Sequence, residues 1–156
     1  MASDAPVVWT WYRWEDLDRD TLYELLRARQ DVFVVEQTCP YPDIDGKDAP
    51  AWHLIGRDGV AAESPLLASA RVFAPGDYYD EAAIGRILTT EAGRGRGLGR
   101  AIMAECHRFV AERFDSAVRL NGQAYLKEFY EGLGYRVVKG PYDEDGIPHY
   151  EMLRPR

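Results

Sequence analysis

The chain predicts an α/β fold on a mixed sheet, and three features carry that expectation. Strand-like segments outnumber helical ones, several neighbouring segments are joined by turns too short for a crossover, and a glycine-rich turn feeds one strand directly into an amphipathic helix. Its 156 residues, 46% hydrophobic and 29% charged, suit a single domain over 1–156 that buries roughly two-thirds of its unfolded surface.

Taken in order, the β-branched and aromatic run Val7 to Trp14 reads as a first strand. A helix follows, with Asp20 placed to cap Thr21 onward, and Leu22, Leu25, Leu26, Arg29 and Phe33 recurring at helical spacing, so that an arginine falls in the apolar stripe. Thr38 to Pro50 holds three prolines, a glycine and three aspartates and is a loop. Trp52 to Arg57 and Leu66 to Phe73 are strands, with a turn at Pro75-Gly76-Asp77, and Ile84 to Thr90 is another. The next helix carries Ile102, Met103, Cys106, Val110 and Phe114 on one side and Glu105, Arg108 and Glu112 on the other. Ala117 to Leu120 reads as a short strand, Gln123 to Glu131 as a helix, Tyr135 to Lys139 as a strand after the stop signals Gly132 and Gly134, and Ile147 to Leu153 as the last strand.

The charge balance narrows the function. Nineteen basic against 26 acidic residues give a net charge of −7, which opposes attraction to nucleic acid or anionic membranes. No run of A, V, I, L, M, F, W, Y or C exceeds four residues, against about twenty for a membrane span. Met1 to Pro6 has neither the basic start nor the apolar centre of a secretory signal, so a cytoplasmic protein is expected. Cys39 and Cys106 are too few for a disulfide framework and read as reduced thiols.

Against that acidic background stands a basic island, Gly93-Arg94-Gly95-Arg96-Gly97-Leu98-Gly99-Arg100. Glycines between a strand and a helix start present backbone N–H groups and the positive helix end to an anion, and the arginines add charge. A dinucleotide fingerprint fails, because its third glycine position falls on Leu98 or Arg100, and a Walker loop fails because Gly99-Arg100-Ala101 stands where Gly-Lys-Ser/Thr is needed. What remains, Arg94-x-x-Gly97-x-Gly99, resembles the acetyl-CoA-binding signature of the GNAT superfamily of N-acetyltransferases. Gln123-Ala-Tyr-Leu-Lys-Glu-Phe129-Tyr130-Glu-Gly-Leu-Gly134-Tyr135 is similar to the later motif of that family. The resemblance extends through Arg29-Gln-Asp-Val-Phe33-Val-Val-Glu36-Gln37, Cys39-Pro-Tyr41-Pro42-Asp-Ile-Asp45-Gly46-Lys-Asp48, His53-Leu54, Ile84-Gly85-Arg86 and Glu144-Asp145-Gly146-Ile147-Pro148-His149, which together look like its ElaA-type branch.

The resemblance implies the GNAT fold, a mixed twisted sheet of about six or seven strands with helices on both faces, and acetyl-CoA as acyl donor to a primary amine of a small molecule, peptide or protein. It implies that the backbone of Ile87, Leu88 and Thr89 pairs with the pantetheine arm and that Arg94, Gly95, Arg96, Gly97, Leu98, Gly99 and Arg100 hold the pyrophosphate. Gln123 occupies a place where many family members have an asparagine near the cofactor. Tyr130 becomes the general acid, and a phenol of reference pKa about 10 can protonate a thiolate whose conjugate acid lies near 8.5.

Glu36 and His149 are the candidate bases, with Glu151 behind them, and Arg29, Glu36, His149 and Glu151 the candidate acceptor-site residues. Arg29 and Glu36 lie seven apart and share a face if the helix continues; either they brace the following loop, expected for Arg29, or they point into a polar cavity, expected for Glu36. Strand alternation places His149 beside Glu151, as an acid-base relay or a plain polar pair. His53, between Trp52 and Leu54, reads as structural. The clusters Asp43/Asp45/Asp48 and Asp143/Glu144/Asp145 either attract a cationic acceptor or are solvated loops. Asp43, Asp45 and Gly46 imitate the middle of a calcium loop, but Tyr41 and Trp52 stand at its first and twelfth positions in place of the anchoring carboxylates, and the histidines and cysteines follow no zinc spacing, so no metal is expected. A homodimer is compatible with the chain. An acetyl-CoA-binding sensor or interaction domain without turnover is the alternative to an enzyme.

Overall fold

The computed structural model describes residues 6–60 and 63–156, so most of the N-terminal stretch read for a secretory signal lies outside the described residues. Seven strands are described: β1 (Val8–Tyr12), β2 (Trp52–Arg57), β3 (Leu66–Phe73), β4 (Ala82–Thr89), β5 (Val118–Gln123), β6 (Arg136–Glu144) and β7 (Ile147–Arg154). They form one sheet in the order β1-β2-β3-β4-β5-β7-β6, antiparallel throughout except for the parallel β4–β5 pair. The helices are α1 (Arg19–Arg29), α2 (Leu98–Arg113) and the short α3 (Lys127–Glu131).

Cross-strand alternation splits the core between two faces. Leu54, Ala70 and Val72 meet Ile102, Met103, Cys106 and Val110 of α2, and Trp11 stacks on Phe109 at 3.8 Å between ring centroids. On the other face Ile55, Leu66 and Leu88 pack under Leu25, Ala28, Val32 and Phe33. Helices therefore cover both faces, as expected, and β2 and β3 occupy the segments their composition predicts.

Several boundaries differ for local reasons. The first strand stops at Tyr12, because the chain turns through a 3₁₀ segment at Trp14–Asp16. The cap of α1 is Asp18, not Asp20: the Asp18 side chain accepts from the Thr21 N–H at 2.7 Å. Beyond Arg29 the helix widens into a π-helical stretch, Gln30–Glu36. A π turn holds more residues than an α turn, so Arg29 and Glu36 do not share a face: Arg29 is buried and Glu36 exposed. Gln123 belongs to the end of β5, a 3₁₀ turn Ala124–Leu126 follows, and only Lys127–Glu131 is α-helical. β6 runs five residues past the expected Lys139, and its pairing with β7 carries irregularities on both sides of Lys139.

The Thr38–Pro50 loop is pinned from below. Arg29, 1% exposed, donates from Nε to Asp43 Oδ2 at 2.9 Å, from Nη1 to Asp48 Oδ1 at 2.7 Å and from Nη2 to the Asp43 carbonyl at 2.9 Å. Arg71 on β3 adds two bonds to Asp45 and one to Asp48, all at 2.9 Å, and Arg86 on β4 reaches Asp43 at 2.8 Å. Asp43 and Asp48 are thus buried partners of arginines, neither a lure for a cationic acceptor nor solvated loop residues. His53 is structural, with Nε2 2.9 Å from the Asp48 carbonyl.

Candidate active site

The cleft originates in the strand pairing. β4 and β5 are in register only at Ala82–Val118 and Ala83–Arg119. Beyond them the strands part, and Ile84–Thr89 on one side and Leu120–Gln123 on the other line a cavity of about 490 Å³. An extra residue on β4 sharpens the divergence: Ser69 pairs with Leu88 but Arg71 with Gly85, and Arg86 sits in that bulge with φ +48°. The edge of β4 turned away from β3 is left without β5 as a partner there, so its backbone groups remain for something seated in the gap.

Ile87, Leu88, Thr89, Arg94, Gln123, Tyr130, Glu36 and His149, predicted from separate parts of the chain, all line this one cavity. Gly95 to Arg100 adjoin Arg94 beyond it. Gly97 caps α2 at φ +68° and Gly95 lies at φ +79°, and a Cβ on either would meet nothing within 4 Å, so an open cradle faces the helix start. The first-turn N–H groups of α2 have no acceptor within the helix, so this end is open to an anion. Two members of the run have side chains engaged elsewhere. Leu98 buries its side chain in the core, leaving only its backbone to offer, and Arg96 stands 3.4 Å from Asp58.

Tyr130, 6% exposed, packs its ring against Gly122, where a Cβ would lie 2.8 Å from Tyr130 Cε2. Burial, and to a lesser degree the neighbouring Tyr125, pushes its phenol up to about 12. Gly122 and Leu120 turn toward the α2 face, so Asn121 and Gln123 turn toward the other. His149 pairs across from Gln123 and shares that second face. Tyr130 and His149 therefore reach the cleft from opposite faces of the sheet.

Two expected acceptor-site residues are elsewhere. Arg29 is consumed by Asp43 and Asp48, so it braces the loop and cannot meet a substrate. Glu151 pairs with Arg119 at 3.1 Å, and Arg119 in turn with Glu81 at 2.8 Å, so no relay joins Glu151 to His149. The neighbour of His149 is instead Glu144, 3.5 Å from Nε2, while Nδ1 is 2.7 Å from the Ile147 carbonyl. Glu36 lies at the rim, paired with Arg94 at 2.7 Å.

The sequence reading missed Tyr41, Tyr78, Tyr79, Arg86 and Asn121 as lining residues, and named Glu144 only within an acidic cluster. The paired tyrosines after the Pro75-Gly76-Asp77 turn were the available signal for two of them. Arg86 is spoken for by Asp43, and Tyr41 donates to Asp43 Oδ1 at 3.0 Å. Cys106 is fully buried in the core, where desolvation raises its thiol, and Cys39 is buried with Sγ 3.6 Å from the Asp145 carbonyl; both are free. Among the described residues no helix is long and apolar enough to cross a membrane, and no three His, Cys, Asp or Glu side chains are grouped as metal ligands.

Comparison with known proteins agrees with this geometry. Residues 67–154 match the family model described as acetyltransferase (GNAT) domain. A UPF0039 protein of Synechocystis is 42% identical over 146 residues, covering 93% of each chain. The ElaA protein of Escherichia coli is 38% identical over 149 residues, 90% of this chain and 95% of ElaA. A crystal structure described as an acyl-CoA N-acyltransferase of Pseudomonas aeruginosa superposes with a TM-score of 0.88 at 36% identity, over 96% of this chain and 99% of that one. The strand splay, the glycine-capped α2 and these matches over nearly the whole length agree: the chain belongs to the GNAT acetyltransferase family, in its ElaA-type branch.

Proposed function

We propose that the chain, acting as one domain over 1–156, is an N-acetyltransferase that moves the acetyl group of acetyl-CoA directly to a primary amine. The observation that carries this reading is the splay between β4 and β5, which opens a strand edge, a cationic glycine loop and a buried phenol onto one cavity. Acetyl-CoA supplies an activated thioester carbonyl. The cradle of Gly95 and Gly97, the first N–H groups of α2 and Arg94 hold its pyrophosphate, and the free edge of Ile87–Thr89 holds the pantetheine arm and polarises the carbonyl. Gln123, whose Nε2 donates to Gln37 Oε1 at 3.0 Å, closes the far wall.

In the transfer, the amine nitrogen forms a bond to the carbonyl carbon as the carbon–sulfur bond breaks. Tyr130 gives its phenolic proton to the departing sulfur, and a base takes a proton from the nitrogen, so amide and free thiol are the products. A phenol held near 12 stays protonated at neutral pH and is available as a donor in every turnover. No covalent acyl-enzyme is needed, in keeping with the burial of both cysteines.

The test is titration calorimetry with acetyl-CoA followed by thiol release over a panel of primary amines. Binding with turnover that falls in Tyr130→Phe supports the enzyme. Binding with no turnover on any amine supports a sensor or interaction domain instead, and failure to bind acetyl-CoA sinks both readings.

A further inference from the structure

Resting on the acetyl-transfer reading, we propose that His149 is the base that takes the proton of the acceptor amine and that Glu144 is its positioning residue. Two candidates line the cleft, and their surroundings separate them. Both oxygens of Glu36 lie 2.7 Å from Arg94 Nη2 at a rim where its side chain is 51% exposed. A carboxylate at so exposed a rim faces water, and is less well placed to take an amine proton than a side chain enclosed by the cleft walls.

His149 is 9% exposed on β7, and its hydrogen bonding selects a tautomer. A carbonyl oxygen only accepts, so the nitrogen 2.7 Å from the Ile147 carbonyl, Nδ1, carries the proton. The neutral ring then bears its lone pair on Nε2, the atom facing Glu144 at 3.5 Å. That separation leaves Nε2 open to a third group while placing a negative charge where an imidazolium would form.

Glu144 is itself held. Asn121 Nδ2 donates to Glu144 Oε2 at 2.5 Å, and Asn121 Oδ1 accepts from the Tyr142 hydroxyl. The Tyr142 ring lies 24° from parallel to the imidazole, with centroids 6.4 Å apart. Three strands thus contribute to one closed set: Asn121 from β5, Tyr142 and Glu144 from β6, His149 from β7. The other charged or titratable groups facing His149 are accounted for: Glu151 is bound to Arg119, Asp145 lies on the hairpin turn, and the Tyr79 phenol across the cleft is raised by burial and by nearby Tyr78, Glu151, Tyr142 and Glu144. Because Tyr130 enters from the other face of β5, the amine loses its proton on one side of the sheet while the sulfur gains one on the other.

The experiment measures kcat/KM against pH with acetyl-CoA and n-butylamine, 1,4-diaminobutane and a lysine-containing tetrapeptide as probes. His149→Gln is expected to lower kcat by roughly 10²-fold and to flatten the acid limb, with acetyl-CoA affinity unchanged. His149→Ala is expected to regain rate with added imidazole, and Glu144→Gln to lower kcat about fivefold without moving KM for acetyl-CoA. A His149→Gln enzyme that keeps the acid limb and its kcat within about threefold overturns the assignment alone. Absence of thiol release by the wild type on every probe overturns the transferase reading and this assignment together. Should His149→Gln fail to bind acetyl-CoA, Glu144→Gln decides, because it leaves the imidazole in place: unchanged kcat there counts against the pair.

Discussion

Arg94 reaches across the mouth of the cleft to Glu36, its Nη2 2.7 Å from both carboxylate oxygens, and so ties the glycine loop to the end of the π-helical stretch. An anion bound at the loop competes with Glu36 for the same guanidinium. Both side chains are about half exposed, so the pair is worth only about 0–1 kcal/mol. Glu36→Gln is therefore expected to tighten acetyl-CoA binding by up to about fivefold, and Arg94→Met to weaken it, both read by titration calorimetry. Weaker binding in Glu36→Gln would refute the competition.

Tyr130→Phe deletes one hydroxyl and leaves the ring against Gly122. Acetyl-CoA affinity and Tm are expected to stay near wild type while kcat falls by about 10²-fold or more. Equal losses in affinity and kcat would place the phenol in binding rather than in proton transfer.

The glycine loop separates strain from crowding. Gly97→Ala puts a Cβ into open space but at φ +68°, a cost of about 1–2 kcal/mol from backbone conformation, with weaker acetyl-CoA binding as the loop relaxes. Gly93→Ala drives a Cβ to 2.4 Å from the Leu67 carbonyl oxygen and must displace β3 or the loop, at about 1–3 kcal/mol. Urea denaturation and calorimetry on both variants check the two costs.

Arg29→Met leaves the buried carboxylates of Asp43 and Asp48 with only Arg86 and Arg71 for compensation. Breaking a buried pair from one side costs about 3–5 kcal/mol, and the remaining arginines put this variant at the lower end. Thermal unfolding should show Tm lower by roughly 6–12 °C, at about 2–4 °C per kcal/mol for a chain of this size. An unchanged Tm would mean that the loop is held elsewhere.

Acid should unfold the protein in two stages. Burial, helped by Arg154, lowers His107 to about 4, and burial lowers His53, so both rings are neutral when folded. Their contribution is complete above pH about 6.5 and is lost as the pH falls below it, for His107 down to about 4. Burial opposes ionisation of Asp45, but hydrogen bonds from Arg71 and the Lys47 N–H, with the charges of Arg71 and Arg86, outweigh it and hold the carboxyl at about 2. That contribution is present above pH about 4 and is lost as the pH falls toward 2. Denaturant midpoints against pH check both windows, and His107→Gln should shrink the upper one.

The legible parts of the fold are those whose signals are local. The uniform β2 and β3 stretches, the Pro- and Asp-rich loop and the glycine run leading into α2 all emerged where composition placed them. The π-helical widening did not, because a seven-residue spacing marks one face only while the helix keeps 3.6 residues per turn. In the cleft, Tyr130, Arg94, Gln123 and His149 were readable from motif resemblance. Asn121 was not, and Glu144 was readable only as part of an acidic cluster, since a polar residue on a strand and an acid at a strand end do not show their partner until another strand brings a histidine beside them. The same reason explains Glu151, which looked like the natural companion of His149 along one strand and is drawn off by Arg119 from the next.

The residues by themselves determined the family, the cationic glycine run ahead of a helix start and the tyrosine of the later motif, because each depends on residue type and short-range spacing. Tertiary structure alone decided that β5 leaves β4 after two pairs, that Arg29 faces Asp43 and Asp48 instead of a substrate, and that Glu144 stands by His149. Those outcomes depend on strand register and on which charges meet in the interior, where an unpaired ion costs several kcal/mol and the buried Arg29 and Arg71 take the carboxylates that folding brings within reach.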